Sequence, residues 1–159
     1  MYKEIKTLNN PKITIITAGY NSAATIRDTL QCIANQTYPN IEHVIIDGAS
    51  KDKTLEIVAE FPHVSKIISE PDDGIYDAMN KGIKAATGDI IGILNSDDFY
   101  SSDNILETIA NNFDQQTDAI IGDIAFVNPD NLNKVVRYYS ASKWKPSKFK
   151  WGYMPPHPS

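Results

Sequence analysis

Two adjacent carboxylates, Asp97 and Asp98, follow an apolar run, residues 90–94, through the polar step Asn95-Ser96. Carboxylates side by side repel each other unless a positive charge sits between or beside them. A hard divalent cation, Mn²⁺ or Mg²⁺, is the natural partner. It binds through one or two carboxylates and fills its other positions with water and phosphate oxygens. An apolar run that stops abruptly at such residues is also how a buried parallel strand ends where its carboxyl edge opens into a site. A solvated acidic turn has the same short pattern, so the pair alone does not separate the two readings.

The elements that must position these residues are legible from periodicity. Residues 12–17 (Lys-Ile-Thr-Ile-Ile-Thr) are rich in β-branched side chains and predict a first strand, broken by the loop Ala18-Gly19-Tyr20-Asn21. Ser22 is the expected N-cap of a helix reaching about Gln36, with Ile26, Leu30 and Ile33 on its apolar face. A second strand is expected over 41–46, ending at Asp47-Gly48-Ala49-Ser50, and a second helix over 51–60 with Leu55 and Val58 inward. A third strand, 64–69, runs into the acid-rich loop Glu70-Pro71-Asp72-Asp73-Gly74. A third helix, 75–86, then carries Ile75, Ala78, Met79, Gly82, Ile83 and Ala86 as one stripe. The strand before Asp97 follows, then a helix near 104–113 with Ile105, Ile109 and Phe113 on one face.

Strands alternating with helices make parallel βαβ units, hence an open α/β sheet with helices on both faces. Right-handed crossovers then gather the strand ends along one edge, where ligands of such sheets bind. Thr17, Tyr20, Asn21, Asp47, Ser50, Glu70, Asp72, Asp73, Asn95, Asp97 and Asp98 are expected on that edge. After Asp118 the pattern changes: strand-like runs over 119–127 and 134–139 flank the turn Asn128-Pro129-Asp130-Asn131, a β-ribbon. Residues 140–159 are basic, aromatic and proline-rich, which suggests a missing continuation or an interaction surface.

Composition narrows the classes. With 159 residues, 42% hydrophobic and 22% charged, one soluble globular domain with a real core is expected. A net charge of −5 argues against a general nucleic-acid binder, which carries a basic face. Cys32 is alone, so there is no internal disulfide framework and no cysteine zinc cluster. No apolar run reaches membrane-spanning length, and the polar residues 1–12 are unlike a signal peptide, so a cytoplasmic location is the expectation.

No glycine-rich phosphate loop follows the first strand, so phosphates are not expected to rest mainly on backbone amides. A cation on Asp97 and Asp98 would instead carry a diphosphate and stabilise it as a leaving group. Asp47, at a strand end, suits a hydrogen bond to a ribose or base, and Tyr20 suits stacking on a base.

Four ordered segments then resemble the family 2 inverting glycosyltransferases of the GT-A fold, which build bacterial polysaccharides. They are Thr17-Ala18-Gly19-Tyr20-Asn21, the Asp-x-x-Ser-x-Asp-x-Thr spacing of residues 47–54, the segment from Glu70 through Asn80-Lys81-Gly82, and Asn95-Ser96-Asp97-Asp98. The resemblance covers roughly residues 12–128. It implies a GT-A (Rossmann-like), mostly parallel open sheet with flanking helices and a C-terminal ribbon, residues 1–159 forming a single nucleotide-sugar-binding domain. By resemblance, Thr17, Tyr20, Asn21 and Asp47 line the base and ribose of a nucleotide-sugar donor, UDP favoured, with Asp47 reading a uracil-type imide. Asp72, Gly74 and Asn80 border the nucleotide and sugar, Ser50, Asn95 and Ser96 join them, and Asp97 and Asp98 hold the metal, Mn²⁺ or Mg²⁺. The implied acceptor is a saccharide or a lipid-linked saccharide, with peripheral association at membrane assembly machinery on the inner face. Two departures stand out: Asn95 occupies a position where many members have aspartate, and Met79 one where many have arginine.

Inverting transfer needs a general base for the acceptor hydroxyl. The resemblance places that carboxylate well downstream of the metal motif, so it is expected beyond Ser159, and this chain is expected to bind donor without full catalysis. Asp103, Glu107, Asp114, Asp118 and Asp130 read as surface, and Asp123 as a ribbon-end residue. His43 reads as structural, His63 as surface and Cys32 as a small helix residue, while His157 resembles a histidine preceding the acceptor region. Lys143, Lys145, Lys148 and Lys150 read as a solvated face, with an anionic or membrane surface as the alternative. The competing functional classes are a non-catalytic nucleotide-sugar-binding module and a Mg²⁺-dependent receiver-like domain. The latter needs an acid pair after the first strand, where this chain has Thr-Ala-Gly-Tyr-Asn.

Overall fold

Four β-branched runs form a parallel sheet in the computed structural model, which describes residues 9–155. They are β1 (Ile13–Gly19), β2 (Ile41–Asp47), β3 (Val64–Ser69) and β4 (Ile90–Ile93), in the order β3-β2-β1-β4. Between them lie α1 (Ile26–Ala34), α2 (Thr54–Val58) and α3 (Ile75–Ala85), and α4 (Ile105–Asn112) follows β4. Residues 13–18 of β1 are all buried, so both faces of the central strand are covered and its sequence runs apolar rather than alternating.

Alternate residues of the sheet feed separate cores. On one face, Ile13, Ile15, Ile33, Ile90, Leu94, Leu106 and Ala110 cluster, with Ile26, Leu30, Ile45 and Val58 as a second group. On the other, Ile16, Ala18, Val44 and Ile46 meet Ala78 of α3. Each fully buried Ile or Leu contributes about 1.5–3 kcal/mol. Two stripes differ from expectation. In α3 the buried residues are Ala78, Met79 and Gly82, while Ile75 and Ile83 are exposed. In α4 the buried residues are Leu106 and Ala110, with Ile109 and Phe113 at the border, because the helix is rotated by about one residue from the expected face.

Gly82 sets how closely α3 approaches β1. A Cβ there would overlap Ile16 Cγ2 and lie 3.2 Å from Ile16 Cγ1 and Cδ1. At the amino edge of the sheet, opposite the strand ends, a polar cluster is built on Glu42. Its carboxylate accepts from Thr14 Oγ1 (2.6 Å), Thr87 N (2.8 Å), Thr87 Oγ1 (2.8 Å) and Lys12 Nζ (3.4 Å). His43 is buried mid-strand. Its Nε2 hydrogen-bonds with Thr17 Oγ1 at 3.0 Å and its Nδ1 with His63 Nε2 at 3.1 Å, the rings stacked with centroids 5.2 Å apart. Burial, and then the neighbouring His63, push the His43 imidazole down to about 3, so it is a neutral core residue. His63, expected at the surface, is half-buried against it.

The chain divides into two compact units, Met1–Gln116 and Thr117–Ser159, a finer division than the single domain expected from sequence. In the second, β5 (Ile124–Asn128) and β6 (Asn131–Tyr139) pair antiparallel. The strand expected from residue 119 begins only at Ile124, because Ile124 pairs with Tyr139, the last residue of β6. Asp123 accepts hydrogen bonds from Tyr138 Oη, from Ser140 Oγ (3.2 Å) and from Ala141 N (2.6 Å), which ties off the ribbon end. A 3₁₀ turn, Pro146–Trp151, follows, with Trp144 edge-on to Phe149 at 4.9 Å. Among the described residues no helix is long and apolar enough to cross a membrane.

Two predictions follow from this packing. Gly82→Ala gains up to about 1 kcal/mol of helix propensity, but forcing a methyl into Ile16 costs about 1–3 kcal/mol. Net destabilisation is expected, read as a lower denaturant midpoint; an unchanged or raised midpoint would show that α3 can lift off β1 freely. For Glu42, burial alone raises the carboxyl, but hydrogen bonds from Thr14, Thr87 and Lys12 outweigh it and hold it at about 2 against an ordinary 4.5. A folded value below the unfolded one contributes stability that is fully present above the ordinary value and lost as pH falls through the folded one. The melting-temperature gap between wild type and Glu42→Gln should therefore be widest near neutrality and close as pH drops from about 5 towards 2. A gap that stays constant across that range would disprove the account.

Candidate functional site

Strand order reverses beside β1. The chain steps outward from β1 to β2 and β3, then returns through α3 to place β4 on the other side of β1. The loops after β1 and β4 therefore leave the sheet in opposite directions and open a crevice between them, the usual ligand position in such sheets. A cleft of about 460 Å³ lies there, lined by residues 18–22, Ala24, Thr25, Ile75 and residues 95–97. Of the residues expected at the strand ends, Tyr20, Asn21, Asn95, Ser96 and Asp97 line it; Ile75, expected in the core stripe, lines it as well.

The β1–α1 loop is laced to the β2–α2 loop by side chain to backbone bonds. Ser50 Oγ accepts from Asn21 N (2.8 Å), Asn21 Oδ1 from Lys51 N (2.9 Å), Asp52 Oδ2 from Ala23 N (3.0 Å) and Thr54 Oγ1 from Ser22 N (2.8 Å). Asn21 and Ala49 sit at positive φ, 51° and 62°. Such backbone costs of order 1–3 kcal/mol for a non-glycine residue and persists only when the surroundings hold it. The Asn21 and Ser50 side chains, expected at a ligand, are thus occupied in shaping the loops. The Asp52 carboxyl is held below the usual range, first by the Thr54 hydroxyl and also by the Ala23 and Thr54 amides.

Asp47 ends β2 beside Gly19 of β1 and is 1% exposed. Its Oδ2 accepts from Ser50 N (3.0 Å) and Ser69 Oγ (2.6 Å), while Oδ1 is buried with no partner. Next to it, a Cβ on Gly48 would meet Asp72 Oδ2 at 2.7 Å and Tyr20 at 3.4 Å, so Tyr20 and Asp72 converge over Gly48. Tyr20 is 59% exposed, with its ring available for stacking. Asp72 Oδ1 accepts from Gly74 N at 2.9 Å, and Gly74 has φ of 106°, a left-handed conformation that favours glycine. Lys81 anchors this acid-rich loop through Glu70 (3.1 Å), Asp77 (3.3 Å) and the Pro71 carbonyl (2.8 Å).

The β4 loop is held from behind by α1. Thr29 Oγ1 donates to the Asp98 carbonyl at 2.8 Å, and Ser96 Oγ hydrogen-bonds with Ser22 Oγ at 2.8 Å. Asp97 is exposed and lines the cleft, whereas the Asp98 carboxylate accepts from Asn95 Nδ2 at 3.1 Å and is not among the lining residues. Asn95 Oδ1 is a second buried oxygen without a partner. Among the described residues no three His, Cys, Asp or Glu side chains gather as a self-sufficient metal site. One carboxylate and a bare carbonyl oxygen fit a cation that takes most of its shell from water and phosphate, not one caged by protein.

Thr17 and Asn80, both expected at the ligand, lie away from the cleft: Thr17 is fully buried with its hydroxyl on His43, and Asn80 is exposed on α3. Met79, expected on the apolar stripe of α3, is buried there. Cys32 accepts the Tyr100 amide at 3.4 Å, and burial pushes its thiol up to about 11, an inert state. His157 lies outside the described residues. Asp52, Thr54 and Ser22 were missed as contributors, although the Asp-x-x-Ser-x-Asp-x-Thr spacing contained two of them.

The comparisons with known proteins agree on one family. Residues 14–156 match the family described as Glycosyl transferase family 2. A relative, the putative glycosyltransferase EpsH of Bacillus subtilis, is 32% identical over 117 residues, which is 72% of this chain. That match spans 34% of the relative, so this chain corresponds to about a third of its length. Among solved structures, Staphylococcus aureus TarS in complex with UDP-GlcNAc superposes with a TM-score of 0.60 and 27% identity, covering 63% of this chain and 30% of that one. The mannosyltransferase PcManGT of Pyrobaculum calidifontis, in complex with GDP-Man and Mn²⁺, gives 0.60 and 26%, covering 82% and 41%. The sheet and its flanking helices are the GT-A, Rossmann-like fold of these neighbours. On the family match over most of its length, the chain belongs to glycosyl transferase family 2.

Proposed function

We propose that the carboxyl edge of the sheet, from the end of β2 across β1 to the cleft between β1 and β4, takes a nucleotide-diphosphate sugar, UDP-sugar favoured, for inverting transfer to a saccharide or lipid-linked acceptor, with the base at the β2 side and the diphosphate in the cleft. The observation that carries this reading is the bare Asp47 Oδ1 at the end of β2. A buried acceptor left unsatisfied costs about 1–3 kcal/mol, and the imide N–H of uracil would satisfy it. Tyr20 then stacks on the base, and Asp72 and Gly74 border the nucleotide. The two neighbours in complex with UDP-GlcNAc and with GDP-Man support a nucleotide sugar as ligand.

Asp97, with Asn95 Oδ1 and Asp98 beside it, would hold Mn²⁺ or Mg²⁺ against the diphosphate. When bound, the cation neutralises the diphosphate and stabilises it as a leaving group. The presence of Mn²⁺ in the PcManGT complex supports this assignment. Among the described residues Asp97 is the one carboxylate lining the cleft. The base for the acceptor hydroxyl is accordingly assigned to a carboxylate outside residues 9–155. The same observation favours a second reading, a donor-binding module without catalysis of its own. Family membership sets aside the receiver-like alternative. Action on the cytoplasmic side, with peripheral association at the membrane, belongs to this proposal too.

Calorimetry with UDP tests the donor site. UDP should bind more tightly with Mn²⁺ than without, and Asp97→Ala should remove the metal-dependent gain while leaving metal-free binding in place. Asp47→Asn should weaken UDP about tenfold or more with or without metal, because one amide cannot accept both the base and the Ser50 and Ser69 donors. Equal, metal-independent binding of UDP by wild type and both variants would refute the site. Robust sugar transfer by this chain alone would overturn the placement of the base.

A further inference from the structure

Ser22 is the point where three strand-end loops meet. Its amide donates to Thr54 Oγ1 at 2.8 Å, and the Thr54 hydroxyl donates onward to Asp52 Oδ1 at 2.5 Å. The same Asp52 accepts Ala23 N on Oδ2 and Thr54 N on Oδ1, each at 3.0 Å. On its other side, Ser22 Oγ reaches Ser96 Oγ at 2.8 Å. Two hydrogen-bonded links, Asp52–Thr54–Ser22 N and Ser22 Oγ–Ser96 Oγ, therefore meet in the one residue Ser22 and connect the β2 loop through the β1 loop to the β4 loop. Thr54 is 1% exposed and Ser96 8%, so little water competes there. The Thr54 hydroxyl accepts from Ser22 N and donates to Asp52, so these two bonds polarise and strengthen each other.

The contact between the two walls leaves no slack. A Cβ on Gly19 would fall 2.7 Å from Ser96 Oγ and 2.8 Å from Ser22 Oγ, so the end of β1 is pressed directly against this junction. Ser22 and Ser96 both line the cleft, whereas Asp52 and Thr54 do not.

We infer that Asp52 and Thr54 are positioning residues: without touching the ligand, they set the spacing between the two cleft walls by fixing the Ser22 amide. Their effect on nucleotide affinity rests on the donor site proposed above; their effect on the walls does not.

The test uses the 159-residue chain and three variants. Thr54→Val keeps shape and removes both hydrogen bonds of the hydroxyl; Thr54→Ser restores the hydroxyl. Asp52→Asn, at an exposed position, can satisfy either the Thr54 donors or the Ala23 amide, not both. In the free protein, Thr54→Val and Asp52→Asn should speed amide exchange at Ser22 and Ala23 by about tenfold or more and shift the amide resonances of Asn95, Ser96 and Asp97. Thr54→Ser should stay close to wild type. In UDP titrations Thr54→Val should weaken binding about tenfold at an unchanged number of sites, again rescued by Thr54→Ser. Folded variants with unaltered exchange at Ser22 and Ala23 and unmoved resonances at 95–97 overturn the inference. So does a Thr54→Ser variant as impaired as Thr54→Val. If wild type fails to bind UDP, the donor reading falls, and the exchange and resonance data still decide the positioning role. Should Thr54→Val not fold, Asp52→Asn alone decides it on the same readouts.

Discussion

Burial of β1 on both faces is the constraint from which the site follows. A strand covered by helices above and below must be continued on each edge by parallel partners, and those partners need crossovers of a fixed hand. The first two crossovers carry the chain outward to β3. The third must come back, because the remaining free edge of β1 is on the other side. The divergence of the β1 and β4 loops is thus a topological consequence of covering one strand. The cleft exists before any residue in it is chosen.

What the residues add is rigidity at the carboxyl edge and closure at the amino edge. Glu42, Thr14, Thr87 and Lys12 close the amino edge with a satisfied buried network, so that end is stabilising and inert. At the carboxyl edge the polar groups are shared differently. Most side chains there spend their hydrogen bonds on neighbouring loops, and two buried oxygens, on Asp47 and Asn95, are left without donors. Buried polar groups are paired as a rule, so these two exceptions among the described residues set the carboxyl edge apart from the amino edge.

The strands and the sheet class were legible because β-branched runs end in polar clusters; the run is buried through Ala18 in β1 and through Asp47 in β2, and the edge strand β3 shows the same pattern while largely exposed. Helix starts were less so. Ser22 looked like an N-cap, yet α1 begins at Ile26: the Ser22 carbonyl takes the Thr25 and Ile26 amides in a turn, and its own amide is committed to Thr54. The helix expected over 51–60 shrinks to Thr54–Val58, since residues 51 and 52 serve the β1 loop and the chain beyond Val58 tightens into turns. Both errors share a cause. Spacing within one segment reports its own periodicity, but a cross-loop partner sits about thirty residues away in sequence and leaves no local trace. For the same reason the loop-shaping bonds of Asn21 and Ser50 had no trace in the sequence, and Asp52 and Thr54 were overlooked.

The acidic pair is where this matters most. The inference of a metal began from repulsion between neighbouring carboxylates, and the structure relieves that repulsion without one. Asp97 is solvated in the cleft, and the Asp98 carboxylate accepts a hydrogen bond from the Asn95 amide, in a loop that Thr29 also holds through the Asp98 carbonyl. Adjacency therefore carries no weight for a cation; placement does. On the proposed reading a donor diphosphate would bring its own negative charge, and a further carboxylate at position 95 would add to the charge that a single divalent ion has to offset. Asparagine there keeps a carbonyl oxygen without the charge, and its amide donates to Asp98. On the proposed donor site, a cation would rest on Asp97, with Asn95 and Asp98 beside it, and on the ligand's own oxygens, which would make the metal and the nucleotide partners in one binding event rather than successive occupants of a preformed site.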